Sequence, residues 1–329
     1  MKEVRIACPS RLHLGLIDLN GEIGRIDGGV GIALEYPRTV FRATKSDKLE
    51  VECPSDPPAA KRAEEAARTV MKLFDLPPAR VVIEERPYVH VGLGSGTQLV
   101  VGTAKALCQL ADKEISAIDL AMAVNRGGTS GIGVASFEHG GFIVDGGHKF
   151  GDGGAPDNSK NSYTPSSAVR GLRPPPVLAR YDFPDWDILL CVPTGEETAG
   201  IHEVQIFKIV CPVPIEEVRT ICHLVLLKML PAVLESDLEA FGQALEESQK
   251  YGFKVFEFRA QTHDVLRCKD FLQENGGEGV GMSSWGSALF AFGQDLSELK
   301  EKTQRFLDAN MGGTCFLTKA NNTGMKILG

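Results

Sequence analysis

Residues 92–98 read Gly-Leu-Gly-Ser-Gly-Thr-Gln, and this stretch decides how the fold around it is built. A β-branched run at 80–85 precedes it, and an apolar helical run at 99–110 follows it. A glycine-rich turn from a strand into a helix exposes free backbone N–H groups, and the helix dipole adds roughly half a positive charge. We therefore predict a phosphate- or pyrophosphate-binding loop made by Gly92, Leu93, Gly94, Ser95, Gly96 and Thr97. An ordinary tightly packed strand-to-helix connection is the alternative.

Length and composition limit the class of protein. The chain has 329 residues, of which 43% are hydrophobic and 24% charged, so two domains with a sizeable core are expected. A net charge of -8 argues against a nucleic-acid partner, which would need clustered Lys and Arg. The eight cysteines form no C-x-x-C pair, so neither a zinc site nor a disulfide framework is expected. No signal sequence or long apolar run is present, which predicts a cytoplasmic protein without a membrane partner.

Apolar periodicity predicts an α+β chain without internal repeats. The run at 24–34 is too rich in glycine for a core strand throughout, and 151–178 is expected to be a long loop near a domain boundary. We expect 137–145 to be extended and 276–286 to be a glycine-rich turn. Strands are predicted at 4–8, 12–18, 39–44, 49–53, 80–85, 187–193, 287–292 and 314–319. Helices are predicted at 61–76, 97–111, 116–124, 195–209 after a polar start, 214–235 with an interruption at Pro231, 237–251, 261–275 and 297–310.

Four loops rich in Gly, Ser or Thr carry the candidate chemistry: 9–13, 92–98, 126–133 and 279–286. Backbone N–H groups and hydroxyls in such loops suit phosphate, although no Walker-type P-loop and no clean dinucleotide-binding fingerprint is present. His13 either contacts a ligand or is satisfied by a core hydrogen bond, and Trp285 either walls a ligand site or simply packs. Asp27, between glycines, is interpreted as a functional carboxylate, with a turn-forming role as the alternative. Transition-metal ligation is not indicated, whereas magnesium held mainly by substrate phosphates remains open.

Several stretches together resemble one superfamily. Residues 9–15 read Pro-Ser-Arg-Leu-His-Leu-Gly, and with the 92–98 loop and the late glycine-rich turn they resemble the three motifs of the GHMP kinases. The runs at 25–31, 129–135, 174–181 and 283–286 are similar to its β-ribofuranosylaminobenzene 5′-phosphate synthase branch. The resemblance covers nearly the whole chain, and the combination of motifs is far more specific than the glycine loop alone.

This resemblance implies a two-domain α+β fold of the GHMP kinase type. Residues 1–180 would form the N-terminal domain with the phosphate loop, and residues 181–329 a ferredoxin-like C-terminal domain. The implied reaction transfers phosphoribose from phosphoribosyl pyrophosphate to 4-aminobenzoate or 4-hydroxybenzoate, with release of carbon dioxide and pyrophosphate, early in methanopterin synthesis. Dependence on Mg²⁺ and a homodimeric assembly are implied as well.

Roles for individual residues follow as hypotheses. A guanidinium suits the benzoate carboxylate, and Arg11, Arg25 and Arg126 are unranked candidates. Asp27 is expected to bind magnesium or ribose hydroxyls. The predicted catalytic residues are Arg11, His13, Asp27 and Arg126; the glycine loop and Ser130 are predicted to bind phosphates; and the substrate pocket is predicted to contain Arg25, Ser283, Ser284 and Trp285.

One departure from the kinases bears on the reaction. Many GHMP kinases carry a carboxylate near the accepting hydroxyl, and the corresponding stretch here, 129–135, contains no acidic residue. Chemistry that needs no deprotonated hydroxyl fits this stretch better. An ATP-dependent small-molecule kinase of the GHMP type is the alternative enzyme, and a non-enzymatic metabolite-binding protein is the alternative of another class.

Overall fold

The computed structural model describes residues 3–151, 158–165, 168–194 and 201–328. The described strands form a nine-stranded sheet and a four-stranded sheet, each covered by helices. The strands are β1 Glu3–Asp18, β2 Arg25–Lys45, β3 Glu50–Glu52, β4 Ala79–Glu85, β5 Phe142–Asp145, β6 His148–Phe150, β7 Ser159–Lys160, β8 Val177–Tyr181, β9 Asp187–Pro193, β10 Glu278–Met282, β11 Leu289–Gly293, β12 Gly313–Thr318 and β13 Lys326–Leu328. The helices are α1 Pro57–Phe74, α2 Ser95–Leu110, α3 Ala117–Ala123, α4 Ile132–His139, α5 Ile201–Val210, α6 Ile215–Leu224, α7 Leu230–Glu235, α8 Leu238–Ser248, α9 Lys254–Arg259, α10 His263–Glu274 and α11 Ser297–Asn310.

A long hairpin of β1 and β2 is the main element of the larger sheet. The prediction that 24–34 does not form a core strand throughout is wrong, because β2 runs unbroken from Arg25 to Lys45 and is buried over most of its length. The glycines serve close packing: a Cβ on Gly31 would lie 2.3 Å from the Ile132 side chain of α4. Glycine is therefore required there because a helix packs directly on the strand.

Helices α1 to α4 pack on one face of this sheet and bury its main apolar cluster. Side-chain caps start two of these helices: α1 begins at Pro57, before the predicted start at 61, and α3 follows Ser116 as predicted. Asp56 accepts a hydrogen bond from the Ala59 amide at the start of α1, and Ser116 accepts one from the Asp119 amide at the start of α3. Part of the stretch expected to be extended, 137–145, is instead the end of α4, which the glycine-rich sequence before it concealed.

The smaller sheet has the order β10-β11-β9-β12. Strand β10 lies within the predicted turn at 276–286, so that turn begins later than expected. The apolar stretch at 214–235 is helical throughout: a π-helical turn at Val225–Met229 joins α6 to α7, and Pro231 lies in the first turn of α7. Proline has no N–H to donate to the preceding turn, and the π-helical turn directly before it is a local departure from α-helical geometry.

The chain passes from the larger sheet to the smaller one and back again. Strand β8 belongs to the larger sheet and β9 to the smaller, whereas the last strand, β13, returns to pair with β1. A division at residue 180 stays a prediction, and the return of β13 means that the larger sheet draws on both ends of the chain. The predicted loop at 151–178 contains β7, and its residues 152–157 and 166–167 lie outside the described part of the chain, as do 195–200 before α5.

Two observations concern the cysteines and the membrane. All eight cysteines are free thiols. Among the described helices, none is long and apolar enough to span a bilayer.

Candidate active site

A cavity of about 380 Å³ opens where the loops of the larger sheet meet those of the smaller one. It is bounded by the first strand, the glycine loop, the turn before α4, the turn after β10, and helices α5 and α9. Of the predicted site residues, those that line it are Arg11, His13, Gly92, Leu93, Gly94, Ser95, Gly96, Thr97, Arg126, Ser130, Ser284 and Trp285. Three others, Arg25, Asp27 and Ser283, do not line it.

The glycine loop ends at the N-terminus of α2, as the sequence predicts. Gly94 is the N-cap residue in a left-handed conformation, with φ of 76°, and it offers no side chain to cap the helix. The first amides of α2 therefore have no side-chain acceptor, and the residues of this first turn, Ser95, Gly96 and Thr97, line the cavity. An uncapped helix N-terminus of this kind is suited to an anionic ligand.

Hydrogen bonds join the loop to both halves of the molecule. The Arg11 amide donates to the Leu93 carbonyl at 3.1 Å, which ties the loop to β1. Ser283 donates through Oγ to the Gly92 carbonyl at 2.6 Å and accepts from the His13 amide at 2.9 Å. Ser283 is fully buried and connects these segments behind the cavity. The sequence predicts Ser283 in the substrate pocket, but the residue does not line the cavity.

Gly92 packs against the turn after β10 more closely than any other residue type would allow. Its φ is 85°, and a Cβ there would lie 1.9 Å from the Ser283 carbonyl oxygen. Both the left-handed backbone and the close approach require glycine. The loop's position is thus set by backbone contact as well as by hydrogen bonds.

The end of the cavity beside the glycine loop, called the phosphate end after the ligand predicted for that loop, is strongly cationic. Arg11, Arg62, Arg86 and Arg126 all line it. Arg86 forms an ion pair with Asp56, whereas no described residue hydrogen-bonds or ion-pairs with the guanidinium of Arg62 or Arg126. Burial, followed by repulsion from Arg62 and Arg170, lowers the pKa of Arg126 to about 10. Cations held together without counterions favour a polyanionic ligand.

Arg11 lies between the loop and the rest of the cavity. Its guanidinium donates to the Gly92 carbonyl, and its side chain packs against Gly94. Burial lowers the pKa of Arg11 to about 10, while the nearby Glu257 carboxylate acts in the opposite direction. Arg11 remains a cation at neutral pH, in reach of both ends of the cavity.

His13 is neutral in this setting. Burial, with the added repulsion of Arg11 and Lys254, lowers the pKa of His13 well below its ordinary value. Its Nε2 lies 3.0 Å from the Ser130 hydroxyl, and behind Ser130 the Asp145 carboxylate accepts from the Gly131 and Gly147 amides. Burial raises the pKa of Asp145 to about 7. His13 thus orients the turn before α4 through an internal hydrogen bond, one of the two alternatives from the sequence. It also lines the cavity, and contact with a ligand stays a prediction.

The opposite end of the cavity is aromatic and acidic. Phe207, Phe253 and Trp285 form its wall, with ring centroids 4.3 Å apart for Phe207 and Phe253 and 5.4 Å for Phe253 and Trp285. Glu203 of α5 and Glu257 of α9 also line it. Neither glutamate was predicted from the sequence, because each lies within a helix and no local pattern distinguishes it.

Asp27 is not where its predicted role requires it. Its carboxylate is fully buried, with His148 Nδ1 at 2.8 Å and Lys160 Nζ at 3.0 Å. Lys160 Nζ also donates to the Thr164 carbonyl at 3.0 Å. Because its oxygens already bind a cation and an imidazole outside the cavity, we replace the expected role in binding magnesium or ribose with a structural one.

Arg25 likewise has a structural position. Its guanidinium donates to the carbonyls of Gly146 and Gly147 at 2.8 and 2.9 Å, which joins β2 to the turn before β6. It does not line the cavity. Of the three arginines proposed for the benzoate carboxylate, Arg11 and Arg126 are therefore the two that the cavity contains.

The donors present at the phosphate end of the cavity determine how a metal ion could be held. Among the described residues, no group of three or more His, Cys, Asp or Glu side chains is placed to hold a metal ion. At the phosphate end, the available oxygen donors are hydroxyls such as Ser95, Thr97 and Ser130. These donors do not form a protein-built magnesium site, but they suit a magnesium ion held mainly by phosphate oxygens of a ligand.

Comparison with known proteins agrees with this geometry. The GHMP kinase N-terminal domain family matches residues 60–141, and the GHMP kinase C-terminal family matches residues 229–311. The homoserine kinase of Cytophaga hutchinsonii has a similar fold, with a TM-score of 0.66 at 14% identity over 100% of this chain and 98% of that one. The fold and the site thus define a member of the GHMP kinase superfamily, and the fold class predicted from the sequence is confirmed.

Two curated relatives identify the branch. The β-ribofuranosylphenol 5′-phosphate synthase of Methanocaldococcus jannaschii is 42% identical over 98% of this chain and 99% of its own. The protein of the same name from Archaeoglobus fulgidus is 41% identical, with the same coverage. The chain belongs to the β-ribofuranosylphenol 5′-phosphate synthase family. The prediction of a synthase of this type is confirmed, and the kinase alternative is less well supported.

Proposed function

We propose that the protein joins phosphoribosyl pyrophosphate to 4-hydroxybenzoate, releasing pyrophosphate and carbon dioxide and leaving a C–C bond between ribose and ring. The single observation that carries the proposal is the polarity of one cavity, cationic at the uncapped helix and aromatic at the other end. The hydroxy acid is preferred to 4-aminobenzoate because the curated relatives are named for a ribofuranosylphenol product. The product would serve methanopterin synthesis.

The pyrophosphate group occupies the cationic end. The first amides of α2 and the hydroxyls of Ser95 and Thr97 accommodate phosphate oxygens. The guanidiniums of Arg62 and Arg126, which have no partner among the described residues, neutralise them. As the bond from ribose C1 to pyrophosphate breaks, negative charge accumulates on the leaving group. Donors already fixed at that position stabilise the transition state without reorganisation.

The benzoate carboxylate pairs with Arg11. This guanidinium lies between the loop and the aromatic wall and keeps its charge at neutral pH. A ring anchored this way presents the carbon that carries the carboxylate toward ribose C1. Positioning of this kind can supply much of the barrier reduction in a reaction between two bound substrates.

Magnesium is proposed to bind together with the substrate, held mainly by its phosphate oxygens. The hydroxyl donors of Ser95, Thr97 and Ser130 fit an ion whose other ligands are pyrophosphate oxygens and water. When bound, such an ion supplies charge neutralisation to the leaving pyrophosphate. The protein residues named above bind and orient the same group directly.

Assembly and location remain proposals as well. Leu226, Leu227 and Leu234 are more than half exposed on the outer side of the 215–235 helical stretch, and such a patch favours a homodimer. Light scattering after size exclusion tests this. The cytoplasmic location stays a prediction from the sequence.

A pyrophosphate-release assay tests the function. Release is expected only when phosphoribosyl pyrophosphate and 4-hydroxybenzoate are both present. The kinase alternative would instead give ADP from ATP in the presence of a small alcohol. Pyrophosphate release from phosphoribosyl pyrophosphate alone, or none with both substrates, would contradict the proposal.

A further inference from the structure

The two glutamates at the aromatic end of the cavity have unequal surroundings. Glu257 is buried in an ion pair with Lys254 of the same helix, and Lys254 Nζ also donates to the carbonyls of Met282 and Ser284 at 3.1 and 3.2 Å. Glu203 has no cationic partner among the described residues. It accepts through Oε1 from the indole N–H of Trp285 at 2.8 Å.

The second carboxylate oxygen of Glu203, Oε2, can therefore accept a hydrogen bond from a ligand. No described residue hydrogen-bonds to its Oε2, and the side chain lines the cavity beside the aromatic wall. A half-buried carboxylate that is only partly satisfied is costly unless a ligand supplies a donor. The donor that fits is a hydroxyl or amine at the edge of a flat aromatic ring.

Charge sets the direction in which such a ring binds. Glu203 and Glu257 repel the carboxylate of a hydroxybenzoate, whereas Arg11 and the loop arginines attract it. The ring then lies with its carboxylate toward the phosphate end and its para substituent against the glutamates. This orientation brings the carboxylate-bearing carbon to the ribose.

On the basis of the proposed function, we infer that Glu203 is a catalytic residue that accepts the proton of the para hydroxyl of 4-hydroxybenzoate. The O–H bond breaks, and the oxygen's electron pair is delocalised to the para carbon, which carries the carboxylate. That carbon forms a bond with ribose C1 as the C1–O bond breaks and its electron pair leaves with pyrophosphate. The bond to the carboxylate then breaks, carbon dioxide departs, and the electrons restore the aromatic ring. The phenol oxygen takes its proton back from Glu203, so no proton is consumed.

The electrostatic surroundings suit this task. Burial, with repulsion from Glu257, raises the pKa of Glu203 to about 7, while the Trp285 hydrogen bond acts in the opposite direction. The other charged groups at this end are Glu257 and Lys254 of α9, with Arg11 beyond them. A base with a pKa near the working pH is the most effective proton acceptor.

The test compares wild type with Glu203→Gln, which keeps an oxygen for Trp285, and with Glu216→Gln, an exposed glutamate of α6. For 4-hydroxybenzoate, we expect Glu203→Gln to lower kcat by about 100-fold or more, with KM changed by less than about 3-fold. The control keeps wild-type kcat. The rise of kcat with pH, centred near 7 in wild type, is lost in Glu203→Gln.

A second substrate separates proton acceptance from a merely structural role. The phenol of 3,5-difluoro-4-hydroxybenzoate is far more acidic and needs the base less, so the wild-type-to-variant ratio of kcat should shrink to below about 10-fold. Melting temperatures show whether the variant is folded, and Glu203→Met, which is similar in size and has no carboxylate, serves in its place if it is not. Equal ratios for both substrates, or wild-type kcat in the variant, would overturn the inference. Absence of pyrophosphate release by wild type would instead reject the proposed function.

Discussion

Ser283 Oγ donates a 2.6 Å hydrogen bond to the Gly92 carbonyl oxygen, a contact that spans 191 positions of sequence. Ser283 Oγ also accepts from the His13 amide at 2.9 Å. One buried hydroxyl thus joins the glycine loop, the first strand and the turn after β10. The loop proposed to bind the substrate's phosphates is therefore held by the second half of the molecule as well as by the first.

Ser283→Ala should weaken both the fold and the loop. The change leaves the His13 N–H and the Gly92 carbonyl without this partner, which should lower the free energy of unfolding by about 1–3 kcal/mol. KM for phosphoribosyl pyrophosphate should rise because the loop is less well positioned. Urea denaturation and steady-state kinetics measure the two effects. Ser46→Ala, in the turn between β2 and β3, is the control; equal behaviour of the two variants would count against the connector role.

Gly92→Ala should be far more damaging than an ordinary glycine substitution. Its φ is left-handed, and the new Cβ would lie 1.9 Å from a backbone oxygen that cannot move freely. We expect a loss of more than about 3 kcal/mol of stability or failure to fold. Gly15→Ala in β1 is the matched control, since a Cβ there meets nothing within 4 Å. A Gly92→Ala protein with wild-type melting temperature and KM would refute the close approach.

The glycine loop and most of the regular elements could be predicted from the sequence because their signals are local. A strand, a glycine-rich turn and an apolar helix follow one another within 80–110, and the structure joins them in that order. The role of glycine in β2 could not be predicted. It depends on Ile132, a residue of a helix about a hundred positions away that packs on the strand.

The site residues divide along the same line. Asp27 looked functional between its glycines, but its partners His148 and Lys160 lie 121 and 133 positions away. Glu203 and Trp285 are 82 positions apart, and only the packing of the two halves brings them together. Tertiary contacts of this kind leave no spacing pattern in a single sequence.

Arg126→Gln should separate binding from stability. The guanidinium has no described counterion, and Arg62 and Arg170 repel it, so its removal should leave the melting temperature unchanged or slightly higher. KM for phosphoribosyl pyrophosphate should rise by about 10-fold or more because a charged donor to a phosphate oxygen is lost. Arg68→Gln, on the exposed face of α1, should change neither quantity. A large loss of stability with unchanged KM would reverse the assignment.

Asp27→Asn tests the structural role now assigned to this residue. The substitution leaves Lys160 buried without its counterion, which should lower the free energy of unfolding by about 3–5 kcal/mol. Asp182→Asn, in an exposed pair with Arg180, should lower it by less than about 1 kcal/mol. Chemical denaturation of both variants gives the comparison. If Asp27→Asn is as stable as wild type and only requires more Mg²⁺ for activity, the metal-binding role predicted from the sequence is restored.

The most direct test of the central claim uses 4-hydroxybenzoate labelled in its carboxyl carbon, incubated with phosphoribosyl pyrophosphate, Mg²⁺ and the protein. We expect labelled carbon dioxide and pyrophosphate to appear in equal amounts, with the unlabelled ring joined to ribose 5-phosphate. Retention of the label in a ribose-linked product, or no labelled carbon dioxide alongside ATP-dependent phosphorylation of an alcohol, would contradict it.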